Sequence, residues 1–281
     1  MNIALIILAA GKGTRMQSEL PKVLHEVAGA PMLVHAMRAG RALDPKRTII
    51  IAGHGFEAVS AAARAEDPEV EVVRQEAQLG TGHAVDQARA TLSDFDGTVI
   101  VLYGDCPLIQ SRTLEELCAT LSDSAVSVLG FEAKDPARYG RLITDGDKLK
   151  RIVEFKDASP AERAVSLCNS GVMAASAGLL FDLLSEIDAN NASGELYLTD
   201  VIGKAVARGL PCTAVRCAER ETLGVNSRVE LMQAEKEFQN LRRTEALEDG
   251  VTMPAPETVH FSYDTVIGRD TIIEQNVVFG P

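Results

Sequence analysis

Apolar, β-branched runs punctuate the first half of the chain: IALIILA (3–9), RTIIIAG (47–53), VEVVRQ (70–75), GTVIVLYGD (97–105) and AVSVLGFEA (125–133). Most are near-continuous in apolar character, as in strands buried on both faces. Helix-like segments separate the first four, among them PMLVHAMRAGRAL (31–43) and GTGHAVDQARATL (80–92). Alternating strand and helix signals predict an α/β fold on a mostly parallel sheet covered on both faces. In such sheets ligands sit beyond the carboxyl ends of strands. The loop at 11–22 and the YGD at 103–105 both fall at such ends, which predicts one shared site.

The pattern changes after about residue 135, where YGRLITDGDKLKRIVEFKDAS (139–159) reads as short strands around a TDGD turn, an inserted antiparallel unit. Helices are expected at 176–186 and near 198–208, a strand at 212–216 and a longer helix over 227–248. In that last helix Leu231, Ala234, Phe238 and Leu241 share a face, and Ser227 with Glu230 predicts a capping box. Phe261, Ile267, Ile273 and Phe279 then recur every sixth position, with Gly268 and Gly280 behind two of them. A six-residue period predicts the start of a parallel β-helix; the competing reading is an ordinary strand pair. The expected division is 1–226, a linker helix over 227–250, and a β-helix begun and cut off within 251–281.

Composition narrows the function classes. At 281 residues and 46% hydrophobic, the chain can bury a sizeable core as one large or two unequal domains. No stretch approaches eighteen uninterrupted apolar residues, so no membrane insertion is expected. The first apolar run leads straight into a loop, as a strand would, and no signal peptide is read. Cysteines at 106, 118, 168, 212 and 217, an odd number without CxxC spacing, predict reduced thiols in a cytoplasmic protein. The five histidines show no paired ligand spacing, so no zinc site is proposed. A net charge of −12 argues against nucleic acid as a partner. If an acidic chain binds polyphosphate, its positive charge must be local. Lys12, Arg15 and Lys22 are the only cations in the first 24 residues.

All three lie in LAAGKGTRMQSELPK (8–22), a glycine loop behind a strand. A Walker A loop would need glycine at position 6 and Ser or Thr at 13, where Ile6 and Gly13 stand. A dinucleotide turn would need a third glycine at Met16. What remains is L-x-x-G-x-G-T-x-M followed by P-K: Leu8, Gly11, Gly13, Thr14, Met16, Pro21 and Lys22. Glycines admit close approach of backbone N–H groups to a ligand, Arg15 offers a planar fork of donors, and Lys22 a point charge.

This pattern resembles the sugar nucleotidyltransferases. The segments QLGTGHA (78–84), YGDCPL (103–108), YGR (139–141), EFKDA (154–158), NSGV (169–172), GELYLTD (194–200) and GVNSR (224–228) follow in order. Together they are similar to the uridylyltransferase half of the bacterial GlmU family, bifunctional N-acetylglucosamine-1-phosphate uridylyltransferases and glucosamine-1-phosphate acetyltransferases. The resemblance covers about residues 3 to 281. It implies a Rossmann-like, glycosyltransferase-A-like sheet with an inserted sugar-binding unit, followed by the start of a left-handed β-helix. It also implies attack of N-acetylglucosamine 1-phosphate on the α-phosphate of UTP, with pyrophosphate leaving and Mg²⁺ assisting.

By that resemblance Asp105 and Asn226 are magnesium ligands, and Arg15, Lys22 and Asp105 the catalytic set. Gln75, Gly80 and Thr81 would read uracil with the backbone of Leu8, Ala9, Ala10 and Gly11; Tyr103 and Gly104 would line the same crevice. Gly140, Glu154 and Asn169 would form the sugar pocket, with Tyr197 packing beside it and Lys12 assisting at the phosphates. Each has a plainer alternative. Asp105 could start the turn before Pro107, Asn226 could cap a helix, Lys12 could be a surface lysine and Tyr197 a core aromatic. His83 either orders the uracil loop or merely starts a helix; Cys106 is read as a small buried thiol. The family trimerises chiefly through its β-helix, so a homotrimer is expected of the full-length protein and left open for this chain. The acetyltransferase residues are expected beyond residue 281. The rivals are a nucleotidyltransferase for another sugar or base, a retaining glycosyltransferase (which usually carries D-x-D where GDC stands) and a nucleotide-sugar sensor without turnover.

Overall fold

The computed structural model describes residues 2–146 and 148–281. Its nine-stranded sheet has the order β5 (Glu71–Arg74), β4 (Arg47–Ala52), β1 (Ile3–Ala9), β6 (Thr98–Tyr103), β10 (Leu167–Ser176), β7 (Val126–Glu132), β11 (Cys212–Cys217), β9 (Lys148–Val153) and β8 (Arg141–Asp145), with β8 also meeting β10. A two-stranded ribbon, β2 (Glu26–Val27) and β3 (Ala30–Pro31), stands apart; Ala28 and Gly29 turn it with φ of 52° and 80°.

The first half follows the apolar pattern. Strands β1 (Ile3–Ala9), β4 (Arg47–Ala52), β5 (Glu71–Arg74) and β6 (Thr98–Tyr103) are mutually parallel. Successive side chains of β1 point to opposite faces, yet both sets are buried. Ala4, Ile6 and Leu8 join one core with α3 (Thr81–Asp86), α6 (Ala177–Leu184) and α7 (Asp200–Ala207). Leu5, Ile7 and Ala9 join the other with α1 (Met32–Arg41), α2 (Phe56–Glu66) and α4 (Ser111–Ala119). Two covered faces explain why these strands read as continuous apolar runs. The helix expected over 80–92 is regular only to Asp86 and continues as irregular turns.

The second half is mixed. Strand β7 (Val126–Glu132) pairs in parallel with β11 (Cys212–Cys217), and β8 (Arg141–Asp145) pairs antiparallel with β9 (Lys148–Val153) as the inserted hairpin. Asp147, within the TDGD turn read from the sequence, lies outside the described residues. A strand not read in advance, β10 (Leu167–Ser176), runs antiparallel between β6 and β7 and is bulged between Asn169 and Met173. Only β9 and β10 run against the rest, so the sheet is mostly parallel in direction. After β9 a single-turn helix, α5 (Pro160–Arg163), starts from a complete Ser159–Glu162 capping box.

Helix α8 (Arg228–Glu248) begins where the sequence placed it, but its box is half made. Ser227 Oγ accepts from Glu230 N at 3.3 Å, while the Glu230 carboxylate reaches one residue further back, to Asn226 N at 2.7 Å. Ala234 is buried on the predicted face, with Leu231 and Phe238 partly so. Phe261, Ile267, Ile273 and Phe279 gather in one small core with Val251, Met253 and Val259. Parallel bridges join Thr252 to Ile272 and His260 to Val278. Gln239 clamps this tail to α8: its amide donates to Phe261 O at 2.7 Å and accepts from Phe261 N at 2.8 Å.

Candidate functional site

The strand ends open into a cavity of about 310 Å³ lined by Leu8, Ala9, Ala10, Gly11, Lys22, Gln75, Gly80, Thr81, Tyr103 and Asp105, among others. Thus ten of the residues singled out from sequence share one cavity. Gly104 supports it from behind, its N–H donating to Leu8 O at 3.0 Å. Val23, Gln78, Ala84 and Glu195 line it without having been singled out. Gln78 donates to Ala10 O at 2.5 Å, a bond between loops that no local pattern announces.

Three glycines, Gly13, Gly55 and Gly80, are required by the backbone, whereas a Cβ on Gly11 would meet nothing within 4 Å. Gly13 has φ +61°, and a Cβ on it would fall 2.6 Å from Lys22 Cβ. Gly55, at φ +68°, would likewise meet Pro21 at 2.3 Å. Pro21 and Lys22 are therefore seated against two glycines from separate loops. Met16, where a dinucleotide turn would have glycine, is fully buried with Val27, Met32, Val225 and Ala234, anchoring the loop beside α8. Gly80 has φ +118°, and its missing side chain lets Leu196 O approach to 2.4 Å of the Cβ position. The approach is used: Gly82 N donates to Leu196 O, Leu196 N to Leu79 O (both 2.8 Å) and Leu198 N to Thr81 Oγ1 at 3.0 Å. GTG and GELYL, over a hundred residues apart, form one wall.

Gln75 is buried, and its amide nitrogen contacts Gly80 O at 3.3 Å and His83 Nδ1 at 3.0 Å. Gln87 contacts the other ring nitrogen at 3.2 Å. His83 therefore orders the loop through Gln75 as well as sitting at a helix start.

At the cavity mouth Lys22 Nζ pairs with Asp105 Oδ2 and donates to Asn226 Oδ1 at 2.9 Å. Val225 N donates to Asp105 O at 3.0 Å, joining the β6 end to the segment before α8. Asp105 and Asn226 thus present a carboxylate and an amide oxygen to one cationic atom, a donor pair that suits a hard divalent ion completed by phosphate and water. No cluster of three or more His, Cys, Asp or Glu able to hold a metal occurs among the described residues. Lys12 and Arg15 are exposed on the loop and do not line the cavity; Arg15 is free of ion pairs among the described residues.

Of the sugar-pocket candidates, Glu154 and Tyr197 line a neighbouring cavity, while Gly140 and Asn169 are linked to it only through Glu154. This second cavity, about 370 Å³, is lined by Arg138, Glu154, Phe155, Lys156, Ser193 and Tyr197. Gly140 faces Glu154, whose oxygens lie 3.4 Å from the glycine's Cβ position, and Gly140 O accepts from Asn169 N at 2.9 Å. Burial raises the Glu154 carboxyl pKa, against a bond from Thr199 Oγ1 at 3.1 Å and with Asp200 and Asp157 adding to the rise. Tyr103 stands between the cavities: burial, then the charges of Glu154 and Asp105, push its phenol up, and its ring fills the space beside Gly171. Arg141, in the YGR motif, is 2% exposed and spends its guanidinium on the carbonyls of Ala137, Tyr139 and Arg163. Burial pushes the Cys106 thiol well above its ordinary value, beside Asp105. It raises Cys118 and Cys212 to about 11, and all five cysteines are free.

Residues 5–179 match the model of the MobA-like NTP transferase domain. The chain is 59% identical over 280 residues to the Bifunctional protein GlmU of Roseobacter denitrificans, covering all of this chain and 62% of that protein. To the protein of the same name from Ruegeria sp. it is 61% identical over 270 residues, covering 96% of this chain and 60% of that one. The chain therefore spans about 60% of the length of these curated relatives. Among solved structures, a UDP-glucose pyrophosphorylase complexed with UDP-glucose superposes with TM-score 0.67 at 17% identity, covering 86% of this chain and all of that one. A glucose-1-phosphate thymidylyltransferase from Bacillus anthracis gives 0.67 at 23%, covering 84% and 94%. These likenesses show a shared nucleotidyltransferase fold. With a family model matched across well over half its length, the chain belongs to the MobA-like NTP transferase domain family.

Proposed function

We propose that this chain transfers the uridylyl group of UTP to N-acetylglucosamine 1-phosphate, giving UDP-N-acetylglucosamine and pyrophosphate. The observation that carries the reading is the convergence of Lys22, Asp105 and Asn226 at the mouth of a cavity floored by the buried Gln75. The identity of about 60% to proteins named GlmU supports the choice of substrates.

A sugar phosphate oxygen attacks the α-phosphate in line, a reaction governed by positioning and charge. Both partners are anions. Lys22 and Arg15 offset the charge on the phosphates, Arg15 by folding in from its exposed turn. Asp105 and Asn226 hold Mg²⁺, which when bound neutralises phosphate oxygens. Gln75, with donor and acceptor on one amide, matches a pyrimidine edge alongside Gly80, Thr81 and the β1 end. Gly140, Glu154 and Asn169 face the sugar, with Tyr197 at its rim. Lys12 adds charge at the outer phosphates.

The same reading makes 1–226 the uridylyltransferase domain, 227–250 a linker helix and 251–281 the start of a left-handed β-helix. The bridge from His260 to Val278, three hexapeptides apart, supports a coil of that kind. The acetyltransferase and the homotrimer belong to the longer protein that such relatives represent. A cytoplasmic site of action suits five free thiols. No helix among the described residues is long and apolar enough to cross a membrane.

The test is pyrophosphate release with Mg²⁺ from UTP plus N-acetylglucosamine 1-phosphate, beside glucose 1-phosphate and beside the other nucleoside triphosphates. Release confined to the first pair is the expected result. Preference for another pair would sink the named substrates, and no release with any pair would leave a nucleotide-sugar sensor.

A further inference from the structure

The nucleotidyl-transfer reading gives Lys22 a place at the phosphates, yet its ammonium lies on the two oxygens offered to the metal. We propose that Lys22 holds the divalent cation's place, and that the metal enters only when triphosphate oxygens draw the ammonium away. The inference rests on the transferase reading for its nucleotide, but concerns the order in which cations occupy one point.

Three observations carry it. The oxygens are fixed: Asp105 is tied through its backbone to Val225 N, and Asn226 through its own N–H to Glu230 and its side-chain amide to Gly224 O at 3.2 Å. The lysine is the movable part. Its stem is seated against Gly13, but beyond that contact lies a flexible chain ending in a compact charge. The pair is also shielded, with side chains 12% and 16% exposed, so water competes weakly for either charge.

Charge then sets the order. Asp105 and Lys22 together are neutral. A divalent ion added to them would place three positive charges against one carboxylate. A triphosphate reverses that balance, gives the ammonium new acceptors and brings ligands for the metal. Free protein should therefore bind metal weakly, and the metal should arrive with the nucleotide.

Mn²⁺ is the probe, its binding read by electron paramagnetic resonance without nucleotide and with UTP. Lys22→Gln and Lys22→Met keep the stem and remove the charge. Both are expected to bind nucleotide-free Mn²⁺ about tenfold more tightly than wild type, the worth of one charge-assisted bond no longer competing. Lys22→Arg should show no such gain, and adding Asp105→Asn to Lys22→Gln should erase it. Equal Mn²⁺ affinity in wild type and both neutral variants would overturn the inference, as would wild-type Mn²⁺ binding that UTP does not tighten. If the wild type transfers uridylyl groups normally in that case, this inference fails alone. Absent pyrophosphate release would sink the transferase reading, while the nucleotide-free titration would still decide the competition.

Discussion

The crevice above β1 and β6 and the pocket around Glu154 lie side by side with Tyr103 between them, yet they are assembled differently. The crevice is made of strand ends and the loops directly behind them: Leu8 to Gly11 follow β1, Tyr103 to Asp105 follow β6, Gln75 follows β5. The pocket takes Glu154 from the end of a hairpin and Tyr197 from an irregular segment distant in sequence, with Gly140 packed on Glu154 and bonded in turn to Asn169 of the bulged strand. One is fixed by short-range backbone geometry on a rigid parallel sheet. The other depends on tertiary contacts, so substitutions at the two should differ in what they disturb.

The largest effect is expected at the crevice mouth. Asp105→Ala should lower pyrophosphate release about a thousandfold, because it removes charge control at the reacting phosphates. Gly80→Ala attacks the wall the two sites share. Its Cβ would overlap Leu196 O in a left-handed conformation, and a cost of about 3 kcal/mol is expected by calorimetry. Both substrates' KM values should rise, whereas a change confined to UTP would show that the wall does not couple the sites.

Arg228 spans the loop and α8, donating to Met16 O at 3.3 Å and contacting His25 Nδ1 at 3.2 Å. Arg228→Ala should lower kcat about tenfold through misplaced Lys22 and Asn226, with KM for the sugar phosphate unchanged and partial rescue by Lys.

At the pocket, the raised Glu154 pKa makes sugar binding pH-dependent. The KM for sugar phosphate should fall a fewfold as pH rises through that raised value, as the carboxylate becomes a pure acceptor, and Glu154→Gln should flatten the profile. The sign for stability is opposite. An acid whose folded pKa is raised stabilises least above it, so Glu154→Gln should melt higher than wild type there, with the margin closing as pH falls. The smallest effect on catalysis is expected from Gln239→Leu, which removes both bonds to Phe261. It should loosen the tail by about 2 kcal/mol while pyrophosphate release stays unchanged.

The same contrast governs what could be read from the sequence. Four parallel strands were legible because two covered faces force continuous apolar runs, and the loop behind β1 because Gly13 sits at positive φ against Lys22 where a Cβ would clash. The hairpin over 141–153 was legible from its turn. Strand β10 was not, since NSGV is small and polar at its bulge and its pairing is supplied by β6 and β7. The capping box was half legible, because Glu230 found a better donor one residue back. Gln78, Arg141 and Arg228 lay inside motifs that were read, but what each does was not legible, and Gln239 carried no signal: each is defined by a backbone group that folding brings to it.

The most direct test exchanges base and sugar separately in two variants. Wild-type selectivity for UTP over CTP, and for N-acetylglucosamine 1-phosphate over glucose 1-phosphate, is compared with that of Gln75→Ala and Asn169→Ala by kcat/KM. The account predicts that the first variant relaxes base selectivity alone and the second sugar selectivity alone. Equal loss of both selectivities in either variant would contradict two adjoining sites with separate origins.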